Sequence, residues 1–145
     1  VIASGMLDDE DVQAMVGVHV QPAVERGVVS TGEGPVNAAF DTFEITITGR
    51  GGHGAYPHTA IDPITVLATI VAALPEAAAR VINPIHPSVV TVGTIRGGTA
   101  ENIIAESAHC TGTMRTFHDA DRAVLQGALT RLAEGQALAR GPPRR

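Results

Sequence analysis

Thr42-Phe43-Glu44-Ile45-Thr46-Ile47-Thr48 alternates polar and apolar side chains without a break. Successive side chains of a strand point to opposite faces, so this segment has the period of a half-buried strand with Phe43, Ile45 and Ile47 turned to a core. A glycine-rich loop follows at 49–57. Beyond it, Asp62 is placed to cap a helix and Pro63 to take its first position, where a missing N–H costs nothing. Ile64, Leu67, Ile70, Val71 and Leu74 then recur on one helical face. Val89–Ile95 returns to strand period, with Val90, Val92 and Thr94 opposite Val89, Thr91 and Ile95, and stops at Gly97-Gly98. Ser107–Phe117 predicts another strand, Ala108, Cys110 and Met114 on one side and His109, Thr111, Thr113 and Arg115 on the other. Asp119 opens a last helix whose Val124, Leu125, Ala128, Leu129 and Leu132 face inward.

Strand, helix, strand, strand, helix is the order of an α+β fold, the split-βαβ, ferredoxin-like sandwich of two helices on an antiparallel sheet. The sandwich is incomplete, because no candidate for its last strand follows Leu138. Gly27–Thr31 or a partner chain would cover the vacant edge, or the edge stays open to association. Toward the N-terminus, Val12–Val20 is an apolar run bounded by Pro22 and predicts a buried strand; Gly27–Thr31 predicts a brief second one. Val1–Leu7 has the look of a helix already under way, with Asp8–Asp11 as its exit. Gly141-Pro142-Pro143-Arg144-Arg145 fits no packed element. Both ends suggest a piece of a longer protein.

The 145 residues are 44% hydrophobic and 17% charged, a globular composition. A net charge of -5 excludes a basic nucleic-acid footprint. The longest apolar run, Ile64–Leu74, is too short to span a bilayer and follows no basic leader, so no membrane partner is expected. The single Cys110 excludes an intrachain disulfide and a cysteine-only metal cage, and the default compartment is the cytoplasm.

Four residues are candidates for chemistry. Gly49-Arg50-Gly51-Gly52-His53-Gly54 matches the dinucleotide pattern G-x-G-x-x-G, but a phosphate loop runs straight into its helix, and here the helix waits until Asp62. His53, if structural, is a turn histidine accommodated among glycines. If functional, it is an imidazole stripped of neighbouring side chains and able to donate to a developing oxyanion, a task worth about a hundred- to a thousandfold in rate. His19, at the end of Val16-Gly17-Val18-His19-Val20, is as a lone histidine more often a core residue than a ligand, since a zinc-type site takes three or four ligands. Asn102, in a turn, and Arg115, in a strand, are plain structural residues singly; together an amide and a guanidinium could grip a substrate carboxylate.

Gly49-Arg50-Gly51-Gly52-His53-Gly54-Ala55-Tyr56-Pro57-His58-Thr59-Ala60-Ile61-Asp62-Pro63 resembles the start of the lid domain in the di-metal aminoacylase/carboxypeptidase metallopeptidases, most of all the group with hippurate hydrolase and the plant auxin-conjugate amidohydrolases. Gly93-Thr94-Ile95-Arg96-Gly97-Gly98-Thr99-Ala100-Glu101-Asn102-Ile103-Ile104 and Gly112-Thr113-Met114-Arg115-Thr116-Phe117 are similar to two further stretches, in the same order. Gly17-Val18-His19-Val20-Gln21-Pro22 looks like the segment that supplies a metal-binding histidine. The resemblance implies residues 1–40 as the end of the first half of a catalytic α/β domain, 41–138 as the lid or dimerisation domain, and 139–145 as a tail. It implies an amidohydrolase of N-acyl amino acids or peptide-like conjugates, needing two divalent ions (zinc, manganese or cobalt) that this piece alone does not hold, and a homodimer through the lid. His19 would be a metal ligand, His53 would reach into the partner's active site, and Asn102 and Arg115 would position substrate. The family's Cys-x-His motif and glutamate pair would precede Val1, its last histidine ligand would follow Arg145, and Ala105 stands where proline is usual. By itself the chain is expected to be inactive. The competing class is a non-enzymatic ferredoxin-like pairing or small-molecule-sensing module, which fits every element from Thr42 onward but has no need of His19 or His53.

Overall fold

The computed structural model describes Ser4, Gly5 and residues 11–140. Most of the helix tail and acidic turn expected near the N-terminus, and all of 141–145, lie outside the described residues. The chain divides into two compact units, one up to Gly34 and one from Pro35 on.

The larger unit runs β1 (Ala39–Thr48), β2 (Gly52–His53), α1 (Pro63–Val81), β3 (Ser88–Gly97), β4 (Ile103–Ile104), β5 (Ser107–Thr116) and α2 (Asp119–Arg140). The main sheet has the order β1–β5–β3, with β5 antiparallel to both neighbours. β1 and β3 therefore run the same way with β5 slotted between them, the split-βαβ arrangement the sequence predicts. Among the described residues β1 and β3 each keep one unpaired edge.

Both helices pack on one face of this sheet. Ile47, Ala108, Cys110 and Met114 meet Leu67, Ile70, Leu74 and Ala78 of α1 and Leu125 and Leu129 of α2. Each fully buried aliphatic side chain contributes about 1.5–3 kcal/mol. α1 begins as predicted: an Asp62 Oδ1 accepts from the Ile64 N–H at 2.9 Å and the Thr65 N–H at 3.4 Å, with Pro63 just inside. At 19 residues the helix outruns Ile64–Leu74 and is long and apolar enough, by length and composition, to cross a membrane. Its buried stripe of Val66, Leu67, Ile70, Leu74 and Ala78 lies in the core.

Three details depart from the sequence reading. Val92 pairs with Gly112 but Thr94 with Thr111, so Gly93 is an extra residue, a β-bulge. The bulge reverses the faces after it: Thr94 turns outward, its hydroxyl 2.7 Å from that of Thr111, and Ile95 joins the row of Cys110. Ile64 and Val124 flank the buried stripes and are 40% and 43% exposed. Val12–Val20 and Gly27–Thr31 form no strands, and Val16 and Val18 are more than nine-tenths exposed. An apolar run alone does not make a strand; its N–H and C=O groups need a pairing neighbour, and none of the described residues supplies one.

An ion pair joins the layers. Arg122 of α2 holds the Asp41 carboxylate of β1 with two donors, Nε to Oδ2 at 2.7 Å and Nη2 to Oδ1. The hydrogen-bonded guanidinium keeps the Asp41 carboxyl below its ordinary range, and Asp41 raises Arg122 in return. Burial pushes the Cys110 thiol up and leaves it inert within the core.

Candidate functional site

The glycine-rich loop is pinned on both sides. Gly49 donates to the Glu106 carbonyl at 2.8 Å, and Arg50 and Ile61 exchange backbone bonds at 2.9 Å each. A Cβ at Gly49 would overlap the Ile61 carbonyl oxygen, so the loop closes this tightly only around a glycine. Gly52–His53 then pairs with Ile103–Ile104 as a second, two-stranded sheet, extended by Gly54 donating to the Asn102 carbonyl at 2.8 Å. His53 and the Asn102 backbone are thus brought together on one short platform.

The His53 ring is exposed and leans at 5.6 Å, centroid to centroid, from Tyr56. The Ala55 N–H points at His53 Nδ1 from 3.1 Å. A nitrogen that accepts a backbone N–H carries no proton, so in the neutral ring the proton sits on Nε2. The loop therefore presents His53 as an Nε2–H donor. Behind it lies an open groove of about 800 Å³, lined by His53, Arg96, Thr99, Glu106 and His109 among others. Arg96 and His109 are opposite one another across β3 and β5. Arg96 was not among the sequence candidates, because only the bulge at Gly93 turns it to the outer face; strict alternation from Val90 would have turned it inward.

Arg115 is elsewhere. It lies on the same outer face but six residues along β5 from His109, roughly 20 Å at strand rise. Its guanidinium stacks 5.1 Å over the Phe40 ring. The structure brings His53 and Asn102 together and places Arg115 at the opposite end of the sheet. The amide–guanidinium pair expected from Asn102 and Arg115 therefore does not form within one chain; the ends of adjacent antiparallel strands are opposite ends of the sheet.

His19 belongs to the smaller unit. It is exposed, and its Nδ1 lies 2.8 Å from the Val20 carbonyl. Among the described residues only His86, His118 and Asp121 form a group of three ligating side chains, and His19 is not in it. The described residues do not fit a dinuclear metal centre, which needs several ligands converging on each ion.

The peptidase dimerisation domain family matches residues 39–140, from the start of β1 to the end of α2. The chain belongs to that family. Curated relatives of the dimerisation domain include the N-acetyldiaminopimelate deacetylase of Bacillus velezensis, 39% identical over 83% of this chain and 32% of its own length. The N-acetylcysteine deacetylase of Bacillus subtilis is 36% identical over 97% of this chain and 37% of its length. Among solved structures, a dinuclear metal-binding peptidase of the M20 family from Bacillus subtilis superposes with a TM-score of 0.62 at 31% identity, covering 85% of this chain and 29% of that one. The chain spans about a third of the length of these curated relatives. Its α+β dimerisation domain and its kinship with hydrolases of the M20 metallopeptidase family agree with the resemblance drawn from the loop and strand motifs.

Proposed function

We propose that the protein hydrolyses the amide bond of N-acyl amino acids or related conjugates, and that this domain completes the active site of a partner subunit. The single observation that carries this is His53: exposed between glycines, with Nδ1 held by the Ala55 N–H, so that Nε2–H is free to donate. Such a donor stabilises a carbonyl oxygen as it becomes anionic, and costs nothing in the ground state because the loop already holds it. Asn102, on the same platform, adds a side-chain amide for the substrate. Arg115 is suited to the substrate carboxylate, which a guanidinium grips with two parallel bonds.

A substrate of this class is shorter than the roughly 20 Å between the His53 end and the Arg115 end of β5. The separation supports a homodimer in which His53 and Asn102 serve the partner's site while Arg115 serves the site of its own chain. The two divalent ions implied by the resemblance (zinc, manganese or cobalt) would take His19 as one ligand. We place the enzyme in the cytoplasm, where a free thiol such as Cys110 stays reduced.

Steady-state hydrolysis of N-acetyl amino acids by the full-length protein tests this. His53→Ala should lower kcat by about a hundredfold or more with metal content unchanged. Retained kcat would remove His53 from the chemistry.

A further inference from the structure

Away from the groove, two histidines and an aspartate gather where the sheet meets the start of α2. We propose that His86, His118 and Asp121 form a binding site for a divalent transition-metal ion of the zinc class, separate from any centre to which His19 belongs. One ligating atom from each of the three lies within 4.8 Å of the other two. The residues come from different elements. His86 sits in the turn between α1 and β3, fixed by its own N–H to the Asn83 carbonyl at 2.8 Å and by the Ile85 N–H to Asn83 Oδ1 at 3.2 Å. His118 precedes α2, its carbonyl accepting from the Arg122 N–H at 3.1 Å, and Asp121 is in the first turn.

Two of the three ligands are already paired. His86 Nδ1 lies 2.7 Å from Asp121 Oδ2, with the two side chains 32% and 16% exposed, and the His118 ring stands 4.4 Å from that of His86, centroid to centroid. A His–Asp pair alone would explain the first contact. It does not explain a second imidazole beside the first on an exposed position. Tetrahedral zinc holds its ligands at about 2.0–2.2 Å, which puts them roughly 3.3 Å apart. His118, exposed and free to turn about its side-chain torsions, closes the remaining distance. On binding, the ion takes the place of the Nδ1 proton between His86 and Asp121. A neutral His86 regains a proton at Nε2, so its ring changes tautomer with no net loss, and an imidazolium releases one proton to solvent. The positive end of α2 disfavours a cation, and the carboxylates of Asp119 and Asp121 in its first turn offset this. Imidazole and carboxylate together suit zinc and cobalt rather than calcium or magnesium. The bound ion would fasten the start of β3 to the start of α2.

The test uses the 145-residue chain with His19→Ala as background, so that no signal arises from that histidine. Zn²⁺ and Co²⁺ are titrated by calorimetry, by Co²⁺ absorption and by the imidazole nitrogens in NMR. The expected result is one ion per chain, resonance changes confined to His86 and His118, and a Tm raised by roughly 10 °C at about a hundredfold excess over Kd. His118→Gln, a change on an exposed side chain, should keep the circular dichroism of the parent and weaken binding about a hundredfold or more, and Asp121→Asn should do likewise. Unchanged affinity in these variants, perturbation of other histidines instead, or no binding at millimolar ion overturns the site.

Discussion

His53 shows how little backbone is needed to present an imidazole Nε2–H as a donor. Gly52 and Gly54 remove competing side chains, the pairing with Ile103 fixes the Cα, and one N–H, that of Ala55, selects the tautomer. If the Nε2–H is what matters, a side chain that sets an amide N–H near the same position should restore part of what alanine loses. His53→Gln is expected to recover about tenfold in kcat over His53→Ala, with KM little changed. Equal rates for the two variants would mean that the ring, and not its N–H, is required. The exposure of His53 was legible in its flanking glycines. Its tautomer was not, because it depends on where the Ala55 amide lies in space. Arg96 and its place in the groove were hidden by the bulge at Gly93, which no local signal beyond a glycine in a strand announces.

Among the elements, β5 bears most of the fold, paired on both sides and supplying Ala108, Cys110 and Met114 to the core. Gly112 is its tightest point: a Cβ there would overlap the Phe43 ring and the Thr91 carbonyl oxygen. The Thr91 carbonyl is backbone of a paired strand and cannot retreat, and the half-buried Phe43 ring would have to swing away from the core. Gly112→Ala is expected to cost about 1–3 kcal/mol in denaturant unfolding, with m unchanged. A loss below about 0.5 kcal/mol, the range of ordinary surface changes, would show that β3 and β1 can spread. The Asp41–Arg122 pair ties β1 to α2 across the layers. Because the folded carboxyl sits below its unfolded value, the pair stabilises above the unfolded range near about pH 4 and its contribution is lost as pH falls through the folded value. Asp41→Asn should therefore lower Tm at pH 7 and match the parent once the medium is acid enough to protonate Asp41. A gap that persists in strong acid would show that the asparagine harms packing instead. β1, β5 and α1 were legible because each has a buried and an exposed face in strict period. Val12–Val20 was misread because a strand is a property of a pair, and an apolar run describes only one member.

For the whole molecule, the decisive fact is a distance along one strand. His53 and Asn102 stand on the β2–β4 platform that precedes β5 and Arg115 near the end of β5, so one domain presents the candidate side chains in two directions. This separation was legible in the sequence, since the predicted strand at 107–117 carries the chain about 3.3 Å per residue away from Asn102; what it means for two subunits was not. A dimer in which each domain lends His53 to the partner and keeps Arg115 for itself puts both on each substrate. Two variants of the full-length protein, His53→Ala and Arg115→Ala, are each expected to be nearly inactive as homodimers. In a mixed dimer one of the two sites would receive an intact His53 from one subunit and an intact Arg115 from the other. After subunit exchange of equal amounts, half the dimers are mixed and half their sites intact, so the mixture should regain about a quarter of the parent activity. A mixture no more active than its two components would contradict the exchange of His53 between subunits.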